Sequence, residues 1–362
     1  MGLKRLIKMK IEKLPLHIDI ETKQILKKAI SANRALANLN GVAKTIPNQN
    51  IIINSLVLQE AKDSSEIENI ITTHDELYKA TVDTSNISQA TKEVNSYANA
   101  LKEGFHLVQE HNLLLVRDIV KIQAILENNN AGVRKQAGTV LKNETTGEIV
   151  FTPPQNENEI RELLANLEEY INTQDDVDPL IKMAIIHHQF ESIHPFCDGN
   201  GRTGRIINIL YLVLNGLLEL PILYLSRYII QHKAEYYQLL QDARVKNTWD
   251  EWIFFMLDGV EQTSQETIKM IHTINDLMEK TAKEIQEKLP KVYSKDLVEI
   301  LFVHPYTKIE FLIDKKIVKT RQTASSYLKE LENIGLMKSI KLGRNIFYIN
   351  IKLFNMLKYG VK

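Results

Sequence analysis

Residues 187–205 read HHQFESIHPFCDGNGRTGR, and local chain rules within this stretch set the architecture on either side of it. Upstream, Asp178-Pro179 is a helix start, with a carboxylate at the N-cap and proline at the first helical position. The helix it opens is expected to stop near His194, because Pro195 drives the residue before it out of the α region. In Asp198-Gly199-Asn200-Gly201, two glycines and an asparagine tolerate positive φ, so successive backbone N–H groups can converge into an anion-binding nest. A second helix is expected from about Gly201 or Arg202, aiming its N-terminal dipole at the same point.

The side chains around that nest form a set. Arg202 and Arg205 are three residues apart on the first helical turn, where both guanidiniums can reach a phosphate. Asp198 is a hard oxygen ligand beside it, of the kind Mg²⁺ takes. His194 can accept a proton near neutral pH. Base, metal ligand, anion nest and two guanidiniums within 12 residues suit phosphoryl or nucleotidyl transfer. A metal centre at His187, His188 and His194 is disfavoured, since adjacent helical side chains diverge by about 100°. One of the first two is expected in the core and the other in a hydrogen bond.

Working outward, most of the chain has helical periodicity: 15–50, ending in the loop TIPNQN; 51–80, with Ile67, Ile70 and Ile71 on one face; then 88–129, 157–173, 178–193, 203–217, 231–246 and 249–288. Residues 132–154 break the pattern. There the β-type runs TVL and EIVF flank NETTG, and Pro153-Pro154 closes the segment, which predicts a hairpin. The apolar stretch 206–225 contains Asn208, Asn215, Gly216, Glu219 and Pro221, so it is expected to be a buried helix and turn rather than a membrane span. Residues 293–350 give helix, helix, helix, hairpin, the winged helix-turn-helix order, with a linker near Leu289-Pro290.

HPFCDGNGRTGR resembles the Fic-family signature HPFx[D/E]GNGRxxR at every fixed position. The resemblance extends over roughly residues 10–260, and the appended winged helix is similar to that of one bacterial subgroup. The fold class it implies is mainly α: a Fic-type helical bundle with a β-hairpin flap, plus a C-terminal winged helix-turn-helix domain. The expected domains are an N-terminal helical region (1–100), a Fic catalytic core (101–288) and the winged helix (289–362).

The activity this resemblance implies is protein adenylyl transfer. AMP would pass from ATP, with Mg²⁺, to a Ser, Thr or Tyr hydroxyl of a target protein, the enzyme itself included. In that scheme His194 is the catalytic base and Asp198 the metal ligand. Residues 199–205 bind ATP. Gly199, Asn200 and Gly201 cradle the phosphates, Asn200 orients the α-phosphate, Arg202 neutralises the β-phosphate and Arg205 the γ-phosphate, with Thr203 and Gly204 in the same segment. Tyr236 matches an adenine-contacting position, although a core aromatic reads equally well there. Arg244 stands where some relatives have Asn near the base. Thr139, Val140 and Leu141 of the flap would pair with a target segment by strand addition.

A second motif resembles the family's inhibitory pattern [S/T]xxxE[G/N]: Ser64-Ser65-Glu66-Ile67-Glu68-Asn69. Ser64, Glu68 and Asn69 are its fixed positions, and Glu68 would pair with Arg205 and displace the γ-phosphate. The competing reading is a solvated helix face.

The composition bounds the rest. Lys+Arg and Asp+Glu are each 45, giving zero net charge, and 44% of residues are hydrophobic, as in an ordinary globular chain. Residues 291–362 nevertheless hold 14 basic and 6 acidic residues, a net +8, leaving −8 for the first 290. Lys319, Thr320, Arg321, Gln322, Thr323, Ser325 and Ser326 on the third helix, with Lys338, Lys341 and Arg344 on the wing, suit phosphate and base-edge contacts. Duplex DNA is therefore an expected partner for residues 293–350. Winged helices also dock proteins or dimerise, so a homodimer stays open. A single cysteine, Cys197, excludes an internal disulfide and fits a cytoplasmic location. The start MGLKRLIKMK lacks the apolar core of a signal peptide, and no membrane partner is expected. Two function classes remain: an autoinhibited transferase, and a DNA-binding regulator whose Fic-like domain senses nucleotide. A Fic enzyme that removes AMP or transfers phosphate is a variant of the first. The presence of His194 favours a transferase, because a sensor needs no base.

Overall fold

The computed structural model describes residues 11–83, 87–142, 146–342 and 345–360. The helix α1 (Lys23–Ala43) starts at Thr22, whose hydroxyl accepts from the Ile25 N–H, and buries Ile25, Ala29, Ala32, Leu36 and Leu39 along one face. That is the stripe of an amphipathic helix. By contrast, α2 (Gln49–Ile67) is buried on every side, Ser55, Gln59, Glu60, Asp63, Ser64 and Ser65 included. Groups of this kind need internal partners, and the carboxylates find them in later segments: Tyr97 and Ser226 donate to Glu60, and Tyr224 to Asp63, while the Ser55 and Ser65 hydroxyls have none.

The expected helix over 51–80 is interrupted. Glu68 caps α2, Asn69 takes the left-handed conformation at φ 61, and α3 (His74–Ala80) restarts at Thr73. Ile70 and Ile71 thus fall outside either helix, and Ile71 is exposed. The pattern at 88–129 likewise splits into α4 (Gln89–His111) and α5 (Val116–Glu127) at left-handed Asn112. The domain boundary expected at 100/101 therefore falls inside one continuous helix.

The hairpin is β1 (Leu141–Lys142) paired antiparallel with β2 (Ile149–Phe151). It is shorter than expected: Thr139 and Val140 precede the strand, and the Thr139 carbonyl accepts from Gln155 instead. Residues 143–145 of the turn lie outside the described residues. Next come α6 (Glu157–Asn172), α7 (Pro179–Ile193) and α8 (Asn200–Leu214). Every residue of α7 after Pro179 is buried, as are Ile206–Leu212 of α8, so these two form the centre of the bundle. Around them pack α9 (Leu225–Gln231), α10 (Lys233–Lys246) and α11 (Trp249–Lys288), whose 40 residues lie against α1 and α7. Among the described residues no helix is long and apolar enough to cross a membrane.

The C-terminal segment has α12 (Lys295–Val303), β3 (Tyr306–Thr307), α13 (Ile309–Asp314), α14 (Arg321–Asn333), β4 (Met337–Leu342), β5 (Asn345–Asn350) and α15 (Ile351–Tyr359). The order matches the winged-helix expectation. The structure adds β3, a two-residue strand that pairs with β5 to give the sheet order β3-β5-β4. Lys319, Arg321 and Gln322 are exposed at the start of α14, as are Lys338 and Lys341 on the wing, while Arg344 lies outside the described residues. This segment is not held by a linker alone. Gln59 of α2 donates to the Leu357 carbonyl at 2.7 Å, Asn48 to Glu299 at 3.4 Å, and Tyr306 to Asp75 at 2.5 Å.

Candidate active site

The loop between α7 and α8 follows from its sequence. Asp178 accepts from the Leu180 N–H at 2.8 Å and Pro179 opens α7. The helix ends at His194, which takes a left-handed conformation (φ 49, ψ 60) ahead of Pro195. Gly199 has φ 77 and caps α8, which begins at Asn200, one residue earlier than expected. A Cβ on Gly199 would lie 2.2 Å from Glu127 Oε1, so both conformation and space call for glycine. The first intrahelical bond of α8 is made by the Thr203 N–H to the Gly199 carbonyl. The amides of Asn200, Gly201 and Arg202 precede it and form the N-terminal anion site.

The side chains of this segment divide into two groups. Asn200 accepts from the Phe196 N–H at 2.9 Å and donates to the Phe196 carbonyl at 2.8 Å, so its amide braces the loop. Arg202 is buried and turned from the cleft: Nη2 is 2.7 Å from Glu127 Oε1, and Nη1 is 3.7 Å from Glu93. Arg205 instead faces the cleft. Its Nε donates to Ser64 Oγ at 2.7 Å, and Nη2 donates to the Ser64 carbonyl at 2.8 Å and to Glu68 Oε1 at 2.9 Å. The Arg205 guanidinium is buried, whereas the Glu68 side chain is 34% exposed. Asn69, next to Glu68, accepts from Lys233 at 3.3 Å. Thr203 and Gly204 are buried in α8, where a Cβ on Gly204 would meet Glu191 Oε1 at 2.7 Å.

A cleft of about 810 Å³ opens between this segment, the flap and α10. His194, Gly201, Arg205, Glu68 and Glu191 form its floor, with Val140, Leu141, Val150 and Phe151 on the flap side and Tyr237, Gln241 and Arg244 on the α10 side. Burial first, then the charges of Arg244 and Arg134, hold His194 down to about 4, so its imidazole is neutral at physiological pH. Arg244 lies over the Phe151 ring at 4.5 Å and donates to Ser192 Oγ at 2.8 Å, so the departure from Asn noted above places a guanidinium beside the base.

His187 and His188 are both buried and both hydrogen-bonded. His187 meets the Tyr236 hydroxyl at 2.7 Å and Asn208 at 3.0 Å, and His188 meets the Leu240 carbonyl at 3.2 Å. Burial pushes His187 down to about 3 and His188 well below its usual range. Tyr236 is 1% exposed and bonded to His187, yet it lines the cleft together with its neighbour Tyr237, which is 42% exposed.

Three groups at the site escape sequence reading. Glu191 is a buried carboxyl with no partner at Oε1; burial pushes it up to about 7, against the pull of Arg205 and Arg244. The signal for it is its place three residues before His194 on α7. Glu127 and Arg134 have no local signal, because Glu127's partner Arg202 lies 75 residues away and Arg134's partners lie 20 and 60 residues away.

Asp198 is exposed at the mouth of the nest, with Oδ1 accepting from the Gly199 N–H at 2.7 Å. Among the described residues no group of three or more His, Cys, Asp or Glu could enclose an ion. One carboxylate beside an anion nest fits Mg²⁺, which is characteristically held by one or two carboxylates plus substrate phosphates. A neutral imidazole, an anion nest and a cleft-facing guanidinium are together equipped to accept a hydroxyl proton beside a polyphosphate.

The chain matches two family descriptions: "Fic/DOC family N-terminal" over residues 26–106, and "Protein adenylyltransferase SoFic-like, C-terminal domain" over 277–353. It is 30% identical over 298 residues to a protein of Aquifex aeolicus described as a probable protein adenylyltransferase, covering 79% of this chain and 82% of that one. It is 32% identical over 145 residues to the protein adenylyltransferase fic-1 of Caenorhabditis briggsae; there the match spans 38% of this chain and only about a quarter (26%) of the nematode protein. In fold it is similar to a Fic family protein from Desulfovibrio desulfuricans (TM-score 0.59, 18% identity, 91% of this chain and 96% of that one). It is likewise similar to residues 134–508 of Fic-1 from C. elegans (TM-score 0.54, 18% identity, 69% and 73%).

Proposed function

The chain belongs to the Fic family, and from that premise we propose that it is a protein adenylyltransferase that moves AMP from ATP to a Ser, Thr or Tyr hydroxyl of a target protein and is held inactive by its own Glu68. The observation that carries this reading is Arg205 shared between the cleft and Glu68, in a cleft that also holds the imidazole of His194.

In the reaction, the target hydroxyl oxygen attacks the α-phosphorus while His194 takes its proton. The bond to the β-phosphate bridging oxygen breaks, and pyrophosphate leaves. His194 is neutral before substrate arrives, as a base must be. The amides at the start of α8 bind phosphate oxygens, and Arg205 is the cation for the terminal phosphate. Asp198 would hold Mg²⁺ with the ATP phosphates, and the ion supplies charge neutralisation for the departing pyrophosphate. The flap edge at Leu141 and Lys142 aligns the target strand.

Arg205 cannot serve two anions at once. While Glu68 and Ser64 hold it, the terminal phosphate lacks its cation and ATP sits out of line. Glu68 is the part of this arrangement that solvent reaches, so it is the part that can leave. A separate role in duplex DNA binding is supported by the exposed Lys319 just before α14, Arg321 and Gln322 at its start, and Lys338 and Lys341 on the wing.

The test uses ATP labelled at either the α- or the γ-phosphate, incubated with Mg²⁺, the Glu68→Gly chain and a cell extract. Label retained on protein from α- but not γ-labelled ATP is expected. Retention of the γ-label would mean phosphate transfer, and retention of neither would refute transferase function.

A further inference from the structure

The flap's two stems and the catalytic base meet at one buried side chain. Arg134 lies in the loop between α5 and β1 and is 3% exposed. Its backbone N–H donates to the Pro195 carbonyl at 2.9 Å. Its Nε donates to the carbonyl of His194 at 2.8 Å, and its Nη2 donates to the carbonyl of Pro154. Residue 134 enters the flap and Pro154 leaves it, so one guanidinium ties entry, exit and base together. Two further polar ties of the flap lie away from the base: Gln155 bonds Gly138 and Thr139 within the flap, and Gln241 of α10 donates to the Val150 carbonyl at 3.0 Å.

The tie to His194 acts where the backbone is strained. A non-glycine residue in the left-handed region costs about 1–2 kcal/mol, and His194 holds it at φ 49, ψ 60. Its N–H is fixed by the Phe190 carbonyl at 2.9 Å and its own carbonyl by Arg134. The carbonyl carbon and Cβ leave the same Cα, so fixing the carbonyl fixes ψ and with it the direction of the Cα–Cβ bond that carries the imidazole. A guanidinium suits the task because its fork reaches two carbonyls on separate segments, whereas an ammonium is a single point. Among the described residues Arg134 makes no ion pair: its guanidinium bonds two carbonyls, leaves Nη1 without a partner, and acts on the electrostatics of the neighbouring base.

We propose that Arg134 is a positioning residue of the transfer reaction, locking the flap and the His194 base into one frame so that a target strand aligned on the flap delivers its hydroxyl to the imidazole. This rests on the reading of His194 as base and of the flap as the docking strand. The charged groups acting on His194 are Arg244 and Arg134, which favour its neutral form, and Glu68, which opposes them. Replacing Arg134 with a neutral residue therefore has two separable effects, one on geometry and one on charge.

The experiment compares Arg134→Lys and Arg134→Gln, both in the Glu68→Gly chain, with that parent. Turnover is counted as AMP attached to protein plus AMP released to water, and Mg·ATP affinity is measured by calorimetry. Misplacement of a base on this scale predicts turnover lower by roughly 10- to 100-fold in both variants, with ATP affinity kept within about threefold because uniform binding is untouched. Amide exchange at 149–151, 194 and 196 should quicken in both. The His194 ring resonance should titrate at higher pH in Arg134→Gln but not in Arg134→Lys, which keeps the charge.

Turnover within about twofold of the parent in both variants, or unchanged exchange at the flap and the base, would overturn the proposal. So would equal losses in turnover and ATP affinity, which mark a general brace. A parent that neither attaches nor releases AMP would instead refute the transferase reading; exchange and titration would then still decide whether Arg134 couples the flap to His194.

Discussion

Arg205 and Glu68 are 137 residues apart in the chain and 2.9 Å apart in space, with the arginine buried and the carboxylate one-third exposed. Ser64 supplies two more bonds to the same guanidinium, so α2 holds Arg205 as a unit. The expected consequence is that Glu68→Gly activates the enzyme. A charge-assisted hydrogen bond contributes about 1.5–3 kcal/mol, equivalent to roughly 10- to 150-fold in the equilibrium between carboxylate and phosphate. AMP incorporation from labelled ATP should rise within that range, and adding Arg205→Ala should abolish the gain. A Glu68→Gly chain no faster than wild type would reduce the pair to a structural ion pair.

His194→Ala should lower transfer by about 10²- to 10⁴-fold, the usual loss for a general base. ATP binding, measured by calorimetry, should be nearly unchanged, since the α8 amides and Arg205 hold the nucleotide. Because burial, Arg244 and Arg134 hold His194 to about 4, the acid limb of kcat/KM should fall near that pH rather than near the ordinary 6.5. Activity is lost as pH drops through the limb and is flat through neutrality on this account. A limb near 6.5 would contradict the geometry.

Fold stability should follow the buried imidazoles. His74, His194 and His304 are held down to about 4 and His187 to about 3, and His188 is also depressed. Between these values and the ordinary 6.5, the unfolded chain binds protons that the folded chain refuses, so stability rises with pH across that window. Glu60 and Glu191, pushed up to about 7 from 4.5, act in the opposite sense, because the folded chain retains protons that the unfolded chain releases. Burial also raises Asp63 and Glu127, which act in the same sense as Glu60 and Glu191; the five imidazoles still outnumber these four carboxyls, and Tm is expected to climb from pH 4.5 to 6.5. A Tm that falls across this range would show that the histidines are hydrated in solution.

Removing residues 291–362 should loosen α2. That truncation deletes the Leu357 carbonyl bonded by Gln59, the Glu299 partner of Asn48 and the Tyr306 partner of Asp75, and it uncovers the face of α2 against α12. Gln59 is buried, and a buried group that loses its partner costs about 1–3 kcal/mol, while the partly exposed Asn48 and Asp75 lose less. The truncated chain should melt earlier, exchange its α2 amides faster and turn over ATP faster than the full chain. Unaltered exchange in α2 would show that the winged helix is carried without mechanical consequence for inhibition.

What the sequence determined alone is what backbone sterics decide within a few residues. Pro195 ends α7, Asp178-Pro179 begins it, Gly199 admits a left-handed turn, and an anion site follows at the head of α8. The same local rules put the winged-helix elements in order, although a two-residue strand such as β3 is too short to leave a periodic signal. Tertiary structure decided which partner each long side chain takes. Arg202 and Arg205 share one helical turn and one expected role, yet Arg202 pairs with Glu127 and only Arg205 reaches the cleft and Glu68. Tyr236 and Tyr237 both line the cleft, yet Tyr236 is anchored by its hydroxyl to the buried His187 and is 1% exposed, whereas Tyr237 is 42% exposed. The break after Glu68, which brings its carboxylate to Arg205, lies in a stretch whose periodicity reads as unbroken helix. These outcomes depend on how helices distant in sequence are rotated against one another, and that rotation is set by packing of the whole core rather than by any local spacing.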